Sequence, residues 1–221
     1  MNEAHEDAIM RITWHGHACF EVEGEKVTVV TDPHDGKSLG IHPPSCRPDL
    51  VLVSHDHFDH NCVRVLKGQF TTVKEPGQRE IKGVKVKGIE AAHDEAGGGK
   101  RGKVTMYRFE LDGVSFMHCG DLGHALSPEQ LRSVGGVDVL FIPVGGVFTL
   151  DGRKAKDVVR DISPKVAVPM HYRYGGLSLS IQPLDAFLDN LPEEKVQRVG
   201  NSIEFSKGDV PERTEYWIFS P

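Results

Sequence analysis

The chain has 221 residues, of which 38% are hydrophobic and 26% are charged, and its formal net charge at pH 7 is −6. These values are typical of a globular protein with one hydrophobic core, so we expect a single domain over residues 1–221 and exclude a disordered chain, a collagen-like repeat and a disulfide-rich scaffold. The negative charge excludes a global basic field of the kind that attracts nucleic acid or an anionic membrane surface.

Three features of the sequence indicate the cellular compartment in which we expect the protein: its N-terminus, its cysteines and its longest apolar run. The N-terminal segment MNEAHEDAIM is acidic and contains no apolar stretch, so we expect no secretory signal peptide. The four cysteines are far apart and form no Cys-x-x-Cys pair, which is typical of reduced thiols in the cytoplasm. The apolar run at 137–148 is interrupted by Asp138 and Pro143 and is too short to span a bilayer. We therefore expect a cytoplasmic protein without membrane insertion.

The first half of the chain is predicted to be mostly β-strand, because its apolar residues alternate or form short continuous runs between turn residues. Strands are predicted over 10–14, 19–23, 27–31, 50–54, 70–74, 79–81, 84–92, 103–111 and 114–118. The run LVLVS at 50–54 is apolar at nearly every position, which is typical of a strand buried on both faces. Residues 62–67 are predicted as a short helix that ends at Gly68.

The second half alternates between helices and strands. Ser127-Pro128-Glu129-Gln130 combines a capping box with proline at the first helical position and predicts a helix that reaches about Val134. Further helices are predicted over 154–162 and 184–191, and strands over 137–144, 166–170, 199–206 and 216–219. A sheet-rich first half followed by mixed elements indicates an α/β (α+β) fold, in which two sheets pack face to face with helices outside.

A dense group of metal-binding residue types follows the apolar run at 50–54. The chain contains 12 histidines, and His55, His57 and His60 lie with Asp59 inside the hexapeptide HDHFDH. Neutral imidazoles and carboxylates are the donors that zinc and similar divalent ions prefer. Because residues i and i+2 of an extended segment share a face, we expect His55 and His57 to hold one ion and Asp59 and His60 to point to a second.

This hexapeptide resembles the signature of the metallo-β-lactamase superfamily. Three further candidates come just after predicted strands in the order that the superfamily shows: His93 in AAHD, Asp121 in HCGD and His171 in VPMHY. The resemblance implies a four-layer αββα sandwich of two mixed β-sheets with external helices. It also implies one ion bound by His55, His57 and His93, a second bound by Asp59, His60 and His171, and Asp121 as a bridge between the two.

Short motifs narrow the resemblance to a compact branch of the superfamily. The chain has Gly-His-Ala at 16–18, Gly-Asp-Leu-Gly at 120–123 and Pro-Val-Gly-Gly at 143–146. His93 lies in Ala-His-Asp-Glu, whereas lactamases and acyl-homoserine lactonases have a Gly-His-Thr type of motif at this place. The branch is similar to L-ascorbate-6-phosphate lactonase and N-acyl-phosphatidylethanolamine phospholipase D, and the chain looks most like its small prokaryotic Zn-dependent hydrolases of unassigned substrate.

The resemblance implies a hydrolase with two divalent metal ions, in which a bridging hydroxide attacks an ester, lactone or phosphoester bond. Asp59 and Asp121 are then expected to be catalytic as well as metal-binding. Zinc is the expected ion because the donors are rich in imidazole, and manganese or iron would accept the same donors. The expected partner is a small-molecule substrate, phosphorylated compounds included, and not nucleic acid.

Three residues are candidates for supporting roles around the metal ions. Asp32, in the tripeptide TDP, is expected to hydrogen-bond a ligand imidazole or the ligand loop, although a plain turn residue would have the same sequence. His17 is expected to reach the metal pocket as support or as a substrate contact, and the alternative is a buried, hydrogen-bonded histidine. Tyr172, directly after a candidate ligand, is expected to contact the substrate.

The loop at 97–103 is a candidate for binding an anionic group. It is rich in glycine and carries Lys100 and Arg101, so we expect it to be mobile and to fold over a phosphate or a similar group. An ordinary exposed hairpin loop would have the same composition.

Two other functions are compatible with these residues. A non-catalytic metal-binding protein, or a sensor of a nucleotide or another ligand, would use the same pocket without turnover, and the complete set of candidate ligands argues against it. A nucleic-acid phosphodiesterase is disfavoured by the net charge of −6.

Overall fold

Residues 7–220, the part of the chain that the computed structural model describes, form fourteen strands and three α-helices. The strands are β1 (Met10–Trp14), β2 (Phe20–Glu23), β3 (Thr28–Thr31), β4 (Leu50–Leu52), β5 (Thr71–Val73), β6 (Gly77–Ile81), β7 (Val84–Ala92), β8 (Lys103–Leu111), β9 (Val114–His118), β10 (Val139–Pro143), β11 (Val166–Met170), β12 (Val196–Arg198), β13 (Ser202–Phe205) and β14 (Glu215–Ile218). The α-helices are α1 (Pro128–Val134), α2 (Gly152–Ile162) and α3 (Asp185–Leu188). None of the helices in 7–220 has the length and hydropathy that a membrane span requires.

The strands form two mixed sheets, as the sequence predicts for this fold class. The first sheet has the order β13-β1-β2-β3-β4-β5, and the second has the order β12-β14-β11-β10-β9-β8-β7-β6. In the first sheet β3, β4 and β5 are parallel. In the second, β7 and β9 are each antiparallel to β8, and β9, β10 and β11 are parallel. The strands β7, β9, β10 and β11 therefore end at the same edge of the second sheet, which is where ligand sites collect in such sheets.

Aromatic side chains fill the space between the sheets. Phe20 of β2 and Phe141 of β10 are fully buried, with ring centroids 4.3 Å apart. Phe116 packs on Phe109 at 5.1 Å within the second sheet. Full burial of each such side chain contributes about 1.5–3 kcal/mol to folding. This core joins the two sheets and fixes the position of the strand ends from which the candidate site residues extend.

Short elements depart from the predictions. The helix predicted over 62–67 is a single 3₁₀ turn at Val63–Val65, because the N–H of Cys62 donates to the Pro33 carbonyl (2.7 Å) and that of Lys67 to the Cys46 carbonyl (3.2 Å). The helix predicted over 184–191 is only the single turn α3, and the chain takes a left-handed conformation at Asn190, where φ is 61°.

The strand predicted over 199–206 was also wrong in its extent. Within this segment only residues 202–205 form a strand, β13, and the preceding residues 196–198 form β12, which belongs to the other sheet. Between them the Asn201 carbonyl accepts a hydrogen bond (2.7 Å) from the Trp14 N–H, and this contact fixes the crossover. The helices α1 and α2 are confirmed, and the side chain of Ser127 forms the predicted capping box with Gln130.

Candidate metal centre

Seven candidate ligands come together where strands of the two sheets end. The hexapeptide HDHFDH follows β4 of the first sheet, whereas the other three candidates follow β7, β9 and β11 of the second. The turn in the hexapeptide is closed by the N–H groups of His60 and Asn61, which donate to the His57 carbonyl at 3.0 and 3.2 Å. The side chains at the site are His55, His57, Asp59, His60, His93, Asp121 and His171.

The first cluster consists of His55, His57 and His93, which each offer a ring nitrogen within 4.8 Å of the others. His55 Nε2 and His57 Nδ1 are 2.9 Å apart. His93 Nδ1 donates to the Phe148 carbonyl at 2.7 Å, and Nε2 is therefore left to face the cluster. Burial, with a smaller effect of His60, lowers the pKa of His55 to about 3, so this imidazole is neutral at pH 7. A neutral imidazole is the form that binds a metal ion.

The second cluster consists of Asp59, His60, His171 and His17, all buried and with one donor atom each within 4.8 Å of the others. His60 Nε2 lies 3.5 Å from Asp59 Oδ2, and His17 Nε2 lies 3.1 Å from the same oxygen. The ring centroids of His17 and His171 are 4.3 Å apart. The structure thus places His17 among the donors of the second cluster.

Asp121 lies between the clusters and contacts both. Its Oδ2 atom is 3.1 Å from His93 Nε2 of the first cluster and 3.3 Å from His171 Nε2 of the second. Its Oδ1 atom is 3.3 Å from His60 Nε2. Burial lowers the pKa of His60, but the carboxylates of Asp121 and Asp59 outweigh it and raise that pKa well above its usual range. The centre therefore attracts positive charge.

The residues of this centre fit a divalent metal ion. Five buried side-chain atoms within 7–220 have no hydrogen-bond partner, and four of them belong to the clusters or to Asp121. These four are His17 Nδ1, His60 Nε2, Asp121 Oδ1 and His171 Nδ1. A buried polar group without a partner costs about 1–3 kcal/mol, so such groups rarely gather at one place without a ligand to satisfy them. Imidazole and carboxylate are also the donor types that zinc binds.

Asp32 fixes the orientation of two candidate ligands, as the sequence indicates for its supporting role. Its fully buried carboxylate accepts hydrogen bonds from the Ser54 N–H (2.7 Å), the Ser54 hydroxyl (2.6 Å) and His60 Nδ1 (2.9 Å). The Ser54 oxygen also lies 2.8 Å from His55 Nδ1. Because the Ser54 proton is donated to Asp32, this oxygen accepts the proton of His55 and leaves His55 Nε2 free for the cluster. Ser54 was not predicted as a site residue from the sequence, although it directly precedes the hexapeptide.

Three residues of the centre have a left-handed backbone. The φ angles are 54° at His17, 39° at Asp32 and 52° at His171. This conformation costs a non-glycine residue about 1–2 kcal/mol. At His17 it is held by the peptide carbonyl, which accepts hydrogen bonds from the His171 N–H (3.2 Å) and from Trp14 Nε1 (3.1 Å). Such strain is characteristic of functional sites.

Two glycines permit the close approach of the segments that carry the ligands. A Cβ atom at Gly123 would lie 2.4 Å from the carbonyl carbon and oxygen of His93, and one at Gly145 would lie 2.1 Å from the His171 carbonyl oxygen. Both contacts are with backbone atoms, which have no room to move aside. Gly123, the second glycine of the Gly-Asp-Leu-Gly motif, is thus explained by its packing against the segment after β7.

A cleft of about 320 Å³ opens onto the centre. We call it the cleft; its walls are formed by ligands and by the apolar side chains of Phe58, Phe148 and Leu179, with Arg101 beside them. A second cavity of about 310 Å³, which we call the side pocket, shares Arg101 and Phe148 with the cleft and also contains Lys100. Arg101 and Lys100 are therefore close to the centre, as their place in the sequence after His93 indicates.

Tyr172 lies elsewhere. Its ring is buried and stacks on Trp14 with centroids 5.7 Å apart, and its hydroxyl donates to the Phe219 carbonyl at 3.1 Å. The expected contact with the substrate has no support in these interactions, because the ring and the hydroxyl both serve the core. We do not retain Tyr172 among the candidate site residues.

Comparisons with known proteins agree with this geometry. A profile of the family described as "Beta-lactamase superfamily domain" matches residues 11–171, which include all seven candidate ligands. A protein of Thermoplasma acidophilum named UPF0173 metal-dependent hydrolase is 31% identical over 188 residues, which make up 74% of this chain and 83% of the relative.

Solved structures are similar over almost the whole chain. A crystal structure from Thermotoga maritima, assigned to the Zn-dependent hydrolases of the metallo-β-lactamase superfamily, is 37% identical with a TM-score of 0.79, and the match covers 95% of this chain and 98% of that one. A metallo hydrolase from Ignicoccus hospitalis has a TM-score of 0.66 at 20% identity, over 90% of this chain and 99% of that one. The second similarity concerns the fold alone.

Proposed function

The chain belongs to the β-lactamase superfamily domain family, and from this premise we propose that it is a hydrolase with a dinuclear metal centre that cleaves an ester, lactone or phosphoester bond of a small molecule. One observation carries the proposal. The donors form two clusters, and the carboxylate of Asp121 contacts both of them. A single ion would leave one of these buried clusters without a partner.

On the basis of the two clusters we propose two ions. His55, His57 and His93 would hold the first ion, and Asp59, His60 and His171 would hold the second, with Asp121 available to both. Zinc is the ion that this imidazole-rich set favours, and manganese or iron would be bound by the same donors. Asp32 positions His60 and, through Ser54, His55.

Two divalent ions held by these residues would supply Lewis-acid chemistry and a hydroxide nucleophile near neutral pH, since a bound ion lowers the pKa of water from about 15.7 to about 7. Asp121 and Asp59 hold negative charge at fixed positions beside the histidines of the two clusters. His17 positions Asp59, because its Nε2 atom lies 3.1 Å from Asp59 Oδ2.

Metal content and hydrolysis test the proposal together. We expect protein purified without chelator to contain about two ions per chain by mass spectrometry, and the His55→Ala variant to contain markedly fewer. His42→Ala is the matched control, because His42 is exposed and lies in neither cluster. The zinc-loaded protein is then assayed on a panel of esters, lactones and phosphodiesters.

The outcomes separate the proposal from its alternatives. Two ions per chain with hydrolysis that is lost in His55→Ala support a dinuclear hydrolase. One ion or none in the wild-type protein contradicts the dinuclear centre. Two ions without hydrolysis across the panel contradict the enzyme and favour a protein that binds metal without turnover.

A further inference from the structure

The loop between β7 and β8 is closed on a single carboxylate. Asp94 Oδ1 accepts hydrogen bonds from the N–H groups of Ala96 (2.8 Å) and Gly98 (3.1 Å). Asp94 Oδ2 accepts those of Lys100 (3.0 Å) and Arg101 (2.8 Å). Four backbone bonds to one side chain give this glycine-rich loop a defined conformation, and they fix the backbone of Arg101 next to the ligand His93.

The side chain of Arg101 is held against the metal centre. Its guanidinium carbon lies 3.9 Å from the centroid of the Phe148 ring, which is the geometry of a cation–π contact. The carbonyl of the same Phe148 accepts the hydrogen bond of His93 Nδ1. Phe148 therefore contacts both the cation and a candidate ligand, and all three residues line the cleft.

The guanidinium of Arg101 is available to a ligand. Among residues 7–220, no hydrogen bond or ion pair engages its side chain, whereas the neighbouring Lys103 is paired with Glu90 at 2.6 Å. The planar guanidinium carries five N–H donors and binds carboxylate or phosphate with two parallel hydrogen bonds. Arg101 lines both the cleft and the side pocket, so a ligand in either cavity can reach it.

The acidic groups around the side pocket are already engaged. Asp94 accepts the four loop N–H groups, and Asp151 caps α2 by accepting the N–H groups of Arg153 and Lys154. Glu95 is paired with the Lys154 ammonium at 2.5 Å. The side pocket consequently has an excess of positive charge from Lys100 and Arg101, although the net charge of the whole chain is negative.

We propose that Arg101 determines the substrate class: it binds an anionic group, a carboxylate or a phosphate, of a substrate whose apolar part lies in the cleft against Phe58, Phe148 and Leu179. This inference rests on the proposed function, because it concerns the same site. The cleft of about 320 Å³ limits the apolar part to a small molecule. A large neutral ester would leave the guanidinium without a partner.

A pair of esters with the same leaving group tests the proposal in the zinc-loaded protein. The anionic probe is the mono-p-nitrophenyl ester of succinate, and the neutral probe is p-nitrophenyl acetate. For Arg101→Gln we expect the ratio of kcat/KM for the anionic probe to that for the neutral probe to fall by about tenfold or more, because a charge-assisted bidentate contact is lost. Lys103→Gln removes the same charge two residues away, and we expect it to leave this ratio unchanged. Equal ratios in the wild-type protein and Arg101→Gln would overturn a carboxylate as the anionic group.

Equilibrium binding separates this inference from the hydrolase proposal. Phenyl phosphate and benzoate are titrated into the zinc-loaded wild-type, Arg101→Gln and Lys103→Gln proteins by calorimetry. Weaker binding of phenyl phosphate in Arg101→Gln alone assigns phosphate, weaker binding of benzoate assigns carboxylate, and no difference with either probe overturns the inference. If the panel of esters is not hydrolysed but Arg101→Gln still binds a probe about tenfold more weakly, the anion site stands and the hydrolase proposal fails.

Discussion

At the scale of single residues, the histidines of the centre are oriented by neighbours of three different kinds. A carboxylate accepts the proton of His60, a serine oxygen accepts that of His55, and a backbone carbonyl accepts that of His93. Each contact directs the other ring nitrogen toward the clusters. The orientation of these imidazoles is therefore set by hydrogen bonds within the protein.

Asp32→Ala tests this orientation. The substitution removes the acceptor of His60 Nδ1 and of the Ser54 hydroxyl, so we expect zinc affinity to fall by about 10- to 100-fold, measured by competition with a chromophoric chelator. Asp138→Ala is a matched control, because Asp138 accepts the N–H (2.8 Å) and hydroxyl (2.8 Å) of Ser115 in the same manner, away from the centre. An equal loss of zinc affinity in both variants would contradict an orienting role for Asp32.

The sequence was informative about residues whose chemistry is unusual and uninformative about those that act through the backbone. The spacing in HDHFDH and the strand ends before His93, Asp121 and His171 predicted which side chains meet, and the structure brings them together; their role as ligands stays a prediction. Phe148 contributes a carbonyl, a group that every residue has, so no residue type could indicate it. Asp94 has its role only because the following loop turns back on it.

At the scale of secondary-structure elements, the site depends on how closely the segments after the strands approach one another. The segment after β9 carries Asp121 and passes the segment after β7 at Gly123, whose N–H donates to the Ala92 carbonyl at 2.9 Å. This spacing brings Asp121 Oδ2 to 3.1 Å from His93 Nε2. A side chain at Gly123 would have to separate the two segments.

Gly123→Ala is therefore expected to damage the metal centre although it changes no ligand. The Cβ atom would lie 2.4 Å from backbone atoms of His93, so we expect the variant to retain less than half of the wild-type zinc, because the two clusters no longer share Asp121. Gly136→Ala serves as the control, since a Cβ there meets nothing within 4 Å and φ is not left-handed. Full zinc content in Gly123→Ala would contradict this prediction and show that the segments after β7 and β9 can separate without loss of zinc.

Long strands were predictable at this scale and short elements were not. The bounds of β1, β7, β8, β9 and β11 agree with the pattern of apolar residues, because each of these strands is buried over most of its length. The segment around β12 and β13 has few buried residues, and its path is set by the Trp14–Asn201 contact with a distant strand. A contact of this kind leaves no trace in local periodicity.

At the scale of the whole molecule, the centre joins the two sheets. Asp59 and His60 come from the first sheet, whereas Asp121 and His171 come from the second, and all four are buried. Bound ions would connect the sheets at this edge in addition to the aromatic core. Metal binding should consequently contribute to the stability of the entire fold and not only to the loops around it.

Removal of the metal is expected to lower the thermal midpoint. At a free zinc concentration of about 100 times Kd, binding to the folded state adds about 2.7 kcal/mol. A domain of this size changes its Tm by about 2–4 °C per kcal/mol, so we expect a decrease of about 5–10 °C after chelation, measured by calorimetry and reversed by added zinc. The double variant His55→Ala/Asp121→Ala provides the reference, because chelator should leave its Tm unchanged. A Tm independent of zinc in the wild-type protein would contradict a structural contribution of the ions.

The left-handed backbone at His17, Asp32 and His171 bears on how the protein would respond to directed evolution. Glycine adopts this conformation without strain. Substitution of these residues by glycine would therefore remove part of the free-energy cost of the left-handed backbone. A library screened for heat resistance in chelating medium would favour such exchanges and drift toward stable, inactive proteins. Screening the same library in zinc-rich medium would reverse the preference, since loss of the proposed donor His171, or of the contacts of His17 and Asp32 that position other donors, then forfeits binding energy. The growth medium, rather than the mutagenesis, would decide whether the candidate metal centre survives the experiment.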